Sequence, residues 1–142
     1  MALIGNKEYF KGIGEIKFEG KESDNPLAFK YYNPEQVVAG KKMKDWFKFS
    51  IAYWHTFCGQ GSDPFGPGTQ NFAWDQHSDA LEAAKAKADA AFEFTTKMGF
   101  GYYCFHDFDL IREGATFAES ESRIAAITEV LKEKQAASGV KL

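Results

Sequence analysis

Unbroken apolar runs predict two strands in the second part of the chain. The first run, KFSIAYWHTF over residues 48–57, shows no alternation of apolar and polar positions. The second run, YYCFHDFDL over residues 102–110, is apolar until a histidine and two aspartates interrupt it. Continuous hydrophobicity is typical of a strand that is covered on both faces, as in a parallel sheet. The pattern therefore predicts two parallel strands.

A stretch with helical spacing follows each predicted strand. Apolar or small residues recur at intervals of three and four, as on one face of a helix. They are Leu81, Ala84, Ala88, Ala91, Phe92 and Thr95 in the first stretch, and Ile124, Ile127, Val130 and Leu131 in the second. The capping candidates are Asp79 with Glu82 and Gly99 for the first helix, and Thr116 with Glu119 and Gly139 for the second. The first helix is thus expected over Asp79 to Met98, and the second between Thr116 and Gly139.

The order strand, helix, strand, helix predicts consecutive βα units around a parallel sheet. The final residues GVKL resemble the start of a third strand. Two parallel strands with two helices cannot close a barrel or cover both faces of a sheet. We therefore expect an incomplete architecture that needs further polypeptide.

The pattern of the first 44 residues predicts an irregular arm that wraps around another surface. Turn dipeptides such as Asn25-Pro26 and Asn33-Pro34 punctuate this segment, and aromatic residues are scattered through it. The stretch GIGEIKFEG fits a short hairpin or a phosphate-cradling loop, but no strand precedes its glycines and no helix follows them. The domain organisation expected from this pattern is an arm over residues 1–44 and βα units over residues 45–142.

Composition narrows the class of protein. The chain has 142 residues, of which 44% are hydrophobic and 26% charged, as in a globular domain with a core. A net charge of -3 and the lack of a basic stripe argue against nucleic acid as a partner. No run is long enough to cross a membrane, and no export signal opens the chain, so a cytoplasmic location is expected. Cys58 and Cys104 are expected to be reduced packing thiols.

A histidine and an aspartate at the end of the second strand form the main candidate for chemistry. His106 lies where functional groups gather in α/β proteins, at the end of a strand. Alternate residues of a strand share a face, so His106 is expected on the same face as Tyr102 and Cys104. Asp109 follows just past the strand, where a turn can bring its carboxylate to one imidazole nitrogen and leave the other free for proton transfer. The alternative is a partly buried histidine that a local aspartate satisfies.

Trp54 is the candidate for a sugar-stacking wall at the end of the first strand. In a strand it shares a face with Ser50, Ala52 and Thr56, and a flat indole packs well on the C–H face of a sugar ring. An ordinary core tryptophan remains an alternative. His55 points the other way and is expected to be a packing histidine.

The loop SDPFGPGT is expected to project Phe65 outward. Proline and glycine on both sides of the ring stiffen the loop, and an exposed rigid phenylalanine suits a partner surface. Alternatively, the Phe65 ring folds back and packs against the chain, which anchors the loop. Trp74 is expected to anchor its own segment in this way. The histidines and aspartates show no metal-binding spacing, so a metal site built from this chain alone is not expected.

Three segments together resemble consecutive blocks of the xylose isomerases, in particular the long form with an N-terminal extension. They are FSIAYWHTF, DPFGPGT and YYCFHDFDL, and the arm with GIGEIKFEGKES resembles the extension. The resemblance covers all 142 residues. It implies a TIM (β/α)8 barrel, assembled as a homotetramer or dimer, that interconverts D-xylose and D-xylulose by a hydride shift with two divalent metal ions, Mg, Mn or Co.

The resemblance also implies roles for individual residues. His106 is similar to the histidine that assists opening of the sugar ring, and Asp109 to the aspartate that orients it. Trp54 resembles an aromatic residue of the sugar site, and Phe65 resembles a phenylalanine that reaches into the neighbouring subunit's site. The metal ligands of the family fall in later βα units, so this chain is expected to supply the arm and the first two βα units, ending at the start of strand 3. The remaining barrel polypeptide would then be its partner, and the chain alone would be inactive.

Two other functions also fit this sequence. The βα pair could be a non-catalytic interaction module that docks on a partner barrel while the arm wraps around it. It could also be a small sugar-binding domain without chemistry.

Overall fold

One parallel strand pair and two long helices form the main body, and an arm with a small hairpin precedes them. The computed structural model describes residues 5–142. In chain order the elements are β1 Val37–Val38, β2 Lys41–Lys42, α1 Met43–Trp46, β3 Ser50–Ala52, α2 Tyr53–Thr56, α3 Ala80–Lys97, β4 Tyr102–Cys104, α4 Asp107–Leu110 and α5 Phe117–Ser138. None of the helices within this part of the chain is long and apolar enough to cross a bilayer.

The predicted parallel sheet is present but small. Strands β3 and β4 pair in parallel, with Ser50 opposite Tyr102 and Ala52 opposite Cys104. The predicted third strand also begins, because Lys141 forms a parallel bridge with Tyr102. The backbone amide of Tyr103 donates to the Lys141 carbonyl at 2.9 Å. The observed architecture is therefore an α/β fold whose sheet, within residues 5–142, is open rather than closed into a barrel.

The first apolar run is only partly a strand, which corrects the expectation for residues 48–57. β3 ends at Ala52, and α2 begins at Tyr53. In a helical turn residues four apart share a face, and Tyr53 and Phe57 are 1% and 0% exposed. His55, which a strand would place on their side, lies on the opposite side of the turn and is exposed. The expectation of a packed His55 is therefore wrong, because unbroken hydrophobicity does not distinguish a strand from a buried helical turn.

Both long helices begin and end at the predicted capping residues. The Asp79 side chain accepts from the Glu82 amide at 2.9 Å at the start of α3. The Thr116 hydroxyl accepts from the Glu119 amide at 3.2 Å at the start of α5. Gly139 ends α5 in the left-handed conformation with φ of 76°, which favours glycine. The capping signals therefore located these helices to within a residue or two.

Helix α3 is the centre of the core. One side packs on aromatic rings of the sheet layer, with the rings of Phe92 and Tyr103 5.0 Å apart. Another side is rich in alanine, which allows α5 to approach and to bury Ile127 and Leu131. A buried ion pair between Asp89 of α3 and Lys134 of α5 joins the two helices. A helix that is buried on several sides needs small and apolar residues around most of its circumference, as α3 has.

The arm contains a hairpin that the sequence pattern did not locate. β1 and β2 pair antiparallel around Ala39 and Gly40, whose φ angles of 48° and 81° suit the two-residue turns typical of hairpins. The hairpin considered for GIGEIKFEG does not form within residues 12–20. Instead Phe18 of that stretch forms an isolated parallel bridge with Phe29. The proposed domain boundary after residue 44 stays a prediction.

A buried carboxylate of α3 holds the start of the arm. Glu93 accepts hydrogen bonds from the backbone amides of Tyr9 at 2.7 Å and Phe10 at 2.9 Å, and from Lys97 Nζ at 2.7 Å. Burial raises the pKa of Glu93, but the hydrogen bonds from Lys97 and from the two amides outweigh it and place the pKa below its usual value. The ionised carboxylate therefore fastens the arm to the core.

We expect Glu93→Gln to destabilise the chain at neutral pH by about 1–3 kcal/mol, because a buried charged hydrogen-bond acceptor is lost. The folded pKa lies below the usual 4.5, so the contribution is complete above pH 4.5 and is lost as the pH falls below that value. The free energy of unfolding, measured by chemical denaturation, should thus differ less between the variant and the parent chain in acid. Glu129→Gln on the exposed face of α5 is the control. A penalty of equal size at pH 7 and below pH 4 would contradict this assignment.

Candidate active site

The turn after β4 brings Asp109 back to His106. β4 ends at Cys104, and the one-turn helix α4 begins directly after His106. The backbone amide of His106 donates to Asp109 Oδ2 at 2.9 Å, and the Asp109 amide donates to the His106 carbonyl at 2.9 Å. This reciprocal pairing fixes the turn. Because the strand stops before His106, the expected alternation of Tyr102, Cys104 and His106 along one strand face is wrong.

The carboxylate of Asp109 also holds the imidazole. Asp109 Oδ2 lies 3.0 Å from His106 Nδ1, and the two side chains are 8% and 66% exposed, respectively. A carboxylate can only accept a hydrogen bond, so the contact requires a proton on Nδ1. In the neutral ring the lone pair then lies on Nε2, as proton transfer requires. The imidazole is exposed rather than packed, which disfavours the alternative of a partly buried structural histidine.

Trp54 lies beside this pair, although not on the strand face that the sequence pattern predicted. It belongs to α2, and therefore does not share a strand face with Ser50, Ala52 and Thr56. Its ring lies 4.5 Å from the His106 ring, centroid to centroid, at an interplanar angle of 35°. The half-buried indole thus forms one wall next to the exposed imidazole. The structure brings Trp54, His106 and Asp109 together in one place.

Phe65 points outward from its loop, as the flanking proline and glycine residues predict. Its side chain is 96% exposed, and its backbone amide donates to Asp63 Oδ1 at 2.8 Å. A bridge between Asp63 and Gly66 tightens the same turn. Trp74, in contrast, is buried and donates from Nε1 to the Phe57 carbonyl at 3.0 Å. Trp74 is therefore the residue that pins the loop to the core, as expected, and Phe65 remains available to a partner surface.

A cavity of about 360 Å³ adjoins the back of Asp109, on the side of α3. Lys87 and Cys58 are among its lining residues. Burial raises the pKa of the Cys58 thiol, so this thiol stays protonated at neutral pH. Cys58 and Cys104 are both free thiols.

Lys87 is the residue near the site that the sequence analysis missed. Its Nζ donates to the Asp109 carbonyl oxygen at 2.9 Å. A signal for it was present in the sequence, because its neighbours three and four positions away on α3 are all alanines. These are Ala83, Ala84, Ala90 and Ala91, and all four are buried. A lysine in the middle of such a face must reach a polar partner with its charged end.

The described residues do not offer a ligand set for a metal ion. Among residues 5–142, no three His, Cys, Asp or Glu side chains lie close enough together to hold one. The His106 imidazole, with Nδ1 held by the Asp109 carboxylate, has a geometry that suits proton transfer.

Comparison with known proteins identifies relatives over almost the whole chain. The chain is 56% identical to the xylose isomerase of Phocaeicola vulgatus over 139 residues, which are 98% of this chain and 32% of that protein. It is 55% identical to the xylose isomerase of Bacteroides thetaiotaomicron, with the same coverage of both chains. It is also 55% identical to xylose isomerase 1 of Xanthomonas campestris pv. campestris over 99% of this chain and 31% of that protein. The chain thus spans about a third of the length of the curated relatives it matches. No protein-family model matches it.

Proposed function

This chain is a homologue of the xylose isomerases over 98% of its length, and on that premise we propose that it forms part of an enzyme that interconverts D-xylose and D-xylulose. In this proposal the arm and the two βα units belong to a (β/α)8 barrel, and the remaining barrel polypeptide completes the site. The single observation that carries the proposed chemistry is the exposed His106 imidazole held by the buried Asp109 carboxylate.

His106 acts as the general acid and base that opens the sugar ring. Nε2, with Nδ1 protonated and bound to Asp109, accepts the proton of the anomeric hydroxyl. The anomeric C–O bond becomes a carbonyl as the bond between the anomeric carbon and the ring oxygen breaks. The ring oxygen then takes the proton from Nε2, so the imidazole returns to its starting state. Asp109 fixes the tautomer and stabilises the transient imidazolium.

Trp54 positions the sugar ring for this transfer. An indole face packs on the C–H side of a pyranose, and this one lies beside the imidazole at 4.5 Å between ring centroids. A sugar stacked on Trp54 would therefore present its ring atoms to His106.

The hydride shift between adjacent carbons would take place outside the described side chains. Two divalent metal ions, in the proposed complete enzyme, would supply Lewis-acid polarisation of the sugar oxygens. The described residues do not fit such a pair, because among residues 5–142 no group of metal-binding side chains clusters. This chain contributes ring opening and the sugar wall.

Phe65 is proposed to serve a neighbouring subunit. Its rigid turn and 96% exposure suit insertion into another protein surface. In a homo-oligomer, dimer or tetramer, the ring would shield the neighbouring sugar site from water.

Exposed apolar side chains favour one second candidate, an interaction module that docks on a partner without catalysis. Phe47, Phe108 and Phe117 are large, apolar and at least half exposed. In the enzyme proposal the same surfaces contact the rest of the barrel. Loss of activity in a His106 variant distinguishes the two functions, because a docking module has no turnover to lose.

We expect His106→Asn to lower turnover of the cyclic sugar by about 10²–10⁴-fold and to leave sugar binding nearly unchanged, because proton transfer alone is lost. Asp109→Asn should act in the same direction and more weakly. Steady-state kinetics in an active isomerase that contains this chain measure both effects. His55→Asn, at an exposed histidine without a proposed role, is the control. Unchanged turnover in His106→Asn would remove His106 from the mechanism.

Phe65→Ala should leave the thermal stability of each subunit nearly unchanged, because the ring is exposed in this chain, yet lower the activity of the assembled oligomer. Calorimetry and kinetics at concentrations that favour assembly measure the two effects. Tyr31→Ala, at an exposed aromatic residue without a proposed role, is the matched control. Full activity of the Phe65→Ala oligomer, or of an isolated monomer, would rule out the shielding role.

A further inference from the structure

The strongest unassigned contact connects Lys87 of α3 with the backbone of Asp109. Lys87 Nζ donates to the Asp109 carbonyl oxygen at 2.9 Å and lies 3.6 Å from Cys58 Sγ. Cys58 Sγ lies 3.6 Å from the same carbonyl oxygen. The ammonium of α3 and a thiol from the loop after α2 therefore converge on one backbone oxygen.

That oxygen is one that α4 itself leaves without an intrahelical partner. The last four carbonyl groups of any helix lack such partners, and α4 has only four residues, Asp107–Leu110. A single helical turn has little stability of its own, because the free-energy cost of helix nucleation exceeds the stabilisation from the hydrogen bonds of one turn. A cation at the C-terminal end of a helix satisfies these carbonyls and interacts favourably with the helix dipole. Lys87 occupies that position for α4.

We propose that Lys87 is a positioning residue for the catalytic pair: by holding the Asp109 carbonyl it fixes the turn that directs the Asp109 carboxylate at His106. This inference rests on the proposed function of His106 and Asp109. The ammonium donates to the Asp109 backbone carbonyl rather than to the imidazole. It acts through the Asp109 backbone, whose side chain then meets both the His106 amide and Nδ1.

The position of Lys87 on α3 explains how its side chain reaches the Asp109 carbonyl oxygen. Buried alanines surround it on α3, so the aliphatic part of the side chain packs along the helix and only the ammonium extends beyond it. Lys85 provides a contrast on the same helix, because its ammonium pairs with exposed Glu82 at 2.8 Å. The two lysines lie two residues apart on one helix, but Lys87 contacts the Asp109 carbonyl and Lys85 contacts Glu82.

The first test measures the turn itself and needs no turnover. Hydrogen–deuterium exchange of the peptide spanning residues 102–112, followed by mass spectrometry, reports the protection of the His106 and Asp109 amides. In Lys87→Met we expect these amides to exchange faster, by about tenfold, as for the loss of one charged hydrogen bond. Lys85→Met should leave their exchange unchanged, and Lys87→Arg should restore part of the protection. Unchanged exchange in Lys87→Met, or an equal acceleration in Lys85→Met, would overturn the inference.

The second test asks whether the effect reaches catalysis through His106. In an active isomerase that contains this chain, Lys87→Met should lower kcat by about 10- to 100-fold, the range for a residue that orients a functional group, with little change in KM. In a His106→Asn background the same substitution should have almost no further effect on kcat. A loss of the same factor in both backgrounds would indicate a general structural effect and overturn the positioning role. If the protein shows no isomerase activity, the proposed function fails, and the exchange measurement still decides whether Lys87 holds the turn.

Discussion

The hydrogen bonds of the Asp109 carboxylate determine the geometry of the whole site. A carboxylate that is 8% exposed cannot rely on water, so the chain must supply its partners. Both come from His106, one from the backbone amide and one from Nδ1. The first hydrogen bond closes the turn after β4, and the second orients the imidazole. Because the buried carboxylate needs hydrogen-bond donors, it holds the exposed imidazole in the tautomer with the proton on Nδ1. The proposed proton transfer depends on that tautomer.

Helix α3 connects this turn to the rest of the chain. Its inner side packs on the aromatic rings around Tyr103, and Asp89 pairs with α5. Glu93 holds the arm, and Lys87 holds the Asp109 carbonyl. Each of these charged side chains lies in an otherwise alanine-rich helix, where an unpaired charge would be costly. The same helix therefore fastens the arm, the second helix and the site, which explains why its sequence combines small residues with a few ionisable ones.

The sequence allowed the long helices and the parallel order to be predicted because those features depend on local signals. Asp79, Thr116 and Gly139 specify helix ends through their own side chains or lack of one. The contact between His106 and Asp109 was also predictable, since only three positions separate them. The turn at Tyr53 was not, because a buried one-turn helix and a buried strand share the same apolar pattern. The alanines around Lys87 indicate that its ammonium needs a polar partner, but that partner is 22 residues away, and periodicity does not identify such a contact.

In the proposed mechanism one imidazole nitrogen lies at the oxygen atoms of a cyclic sugar, and a structure of the complex tests this arrangement most directly. Crystals of an isomerase that contains this chain, with a cyclic aldose bound, would show the distance from His106 Nε2 to the anomeric and ring oxygens. We predict that one of these oxygens lies about 2.6–3.2 Å from Nε2, directly or through one water, with the sugar ring against Trp54. A sugar bound elsewhere, with Nε2 turned away from it and Nδ1 no longer held by Asp109, would contradict the account.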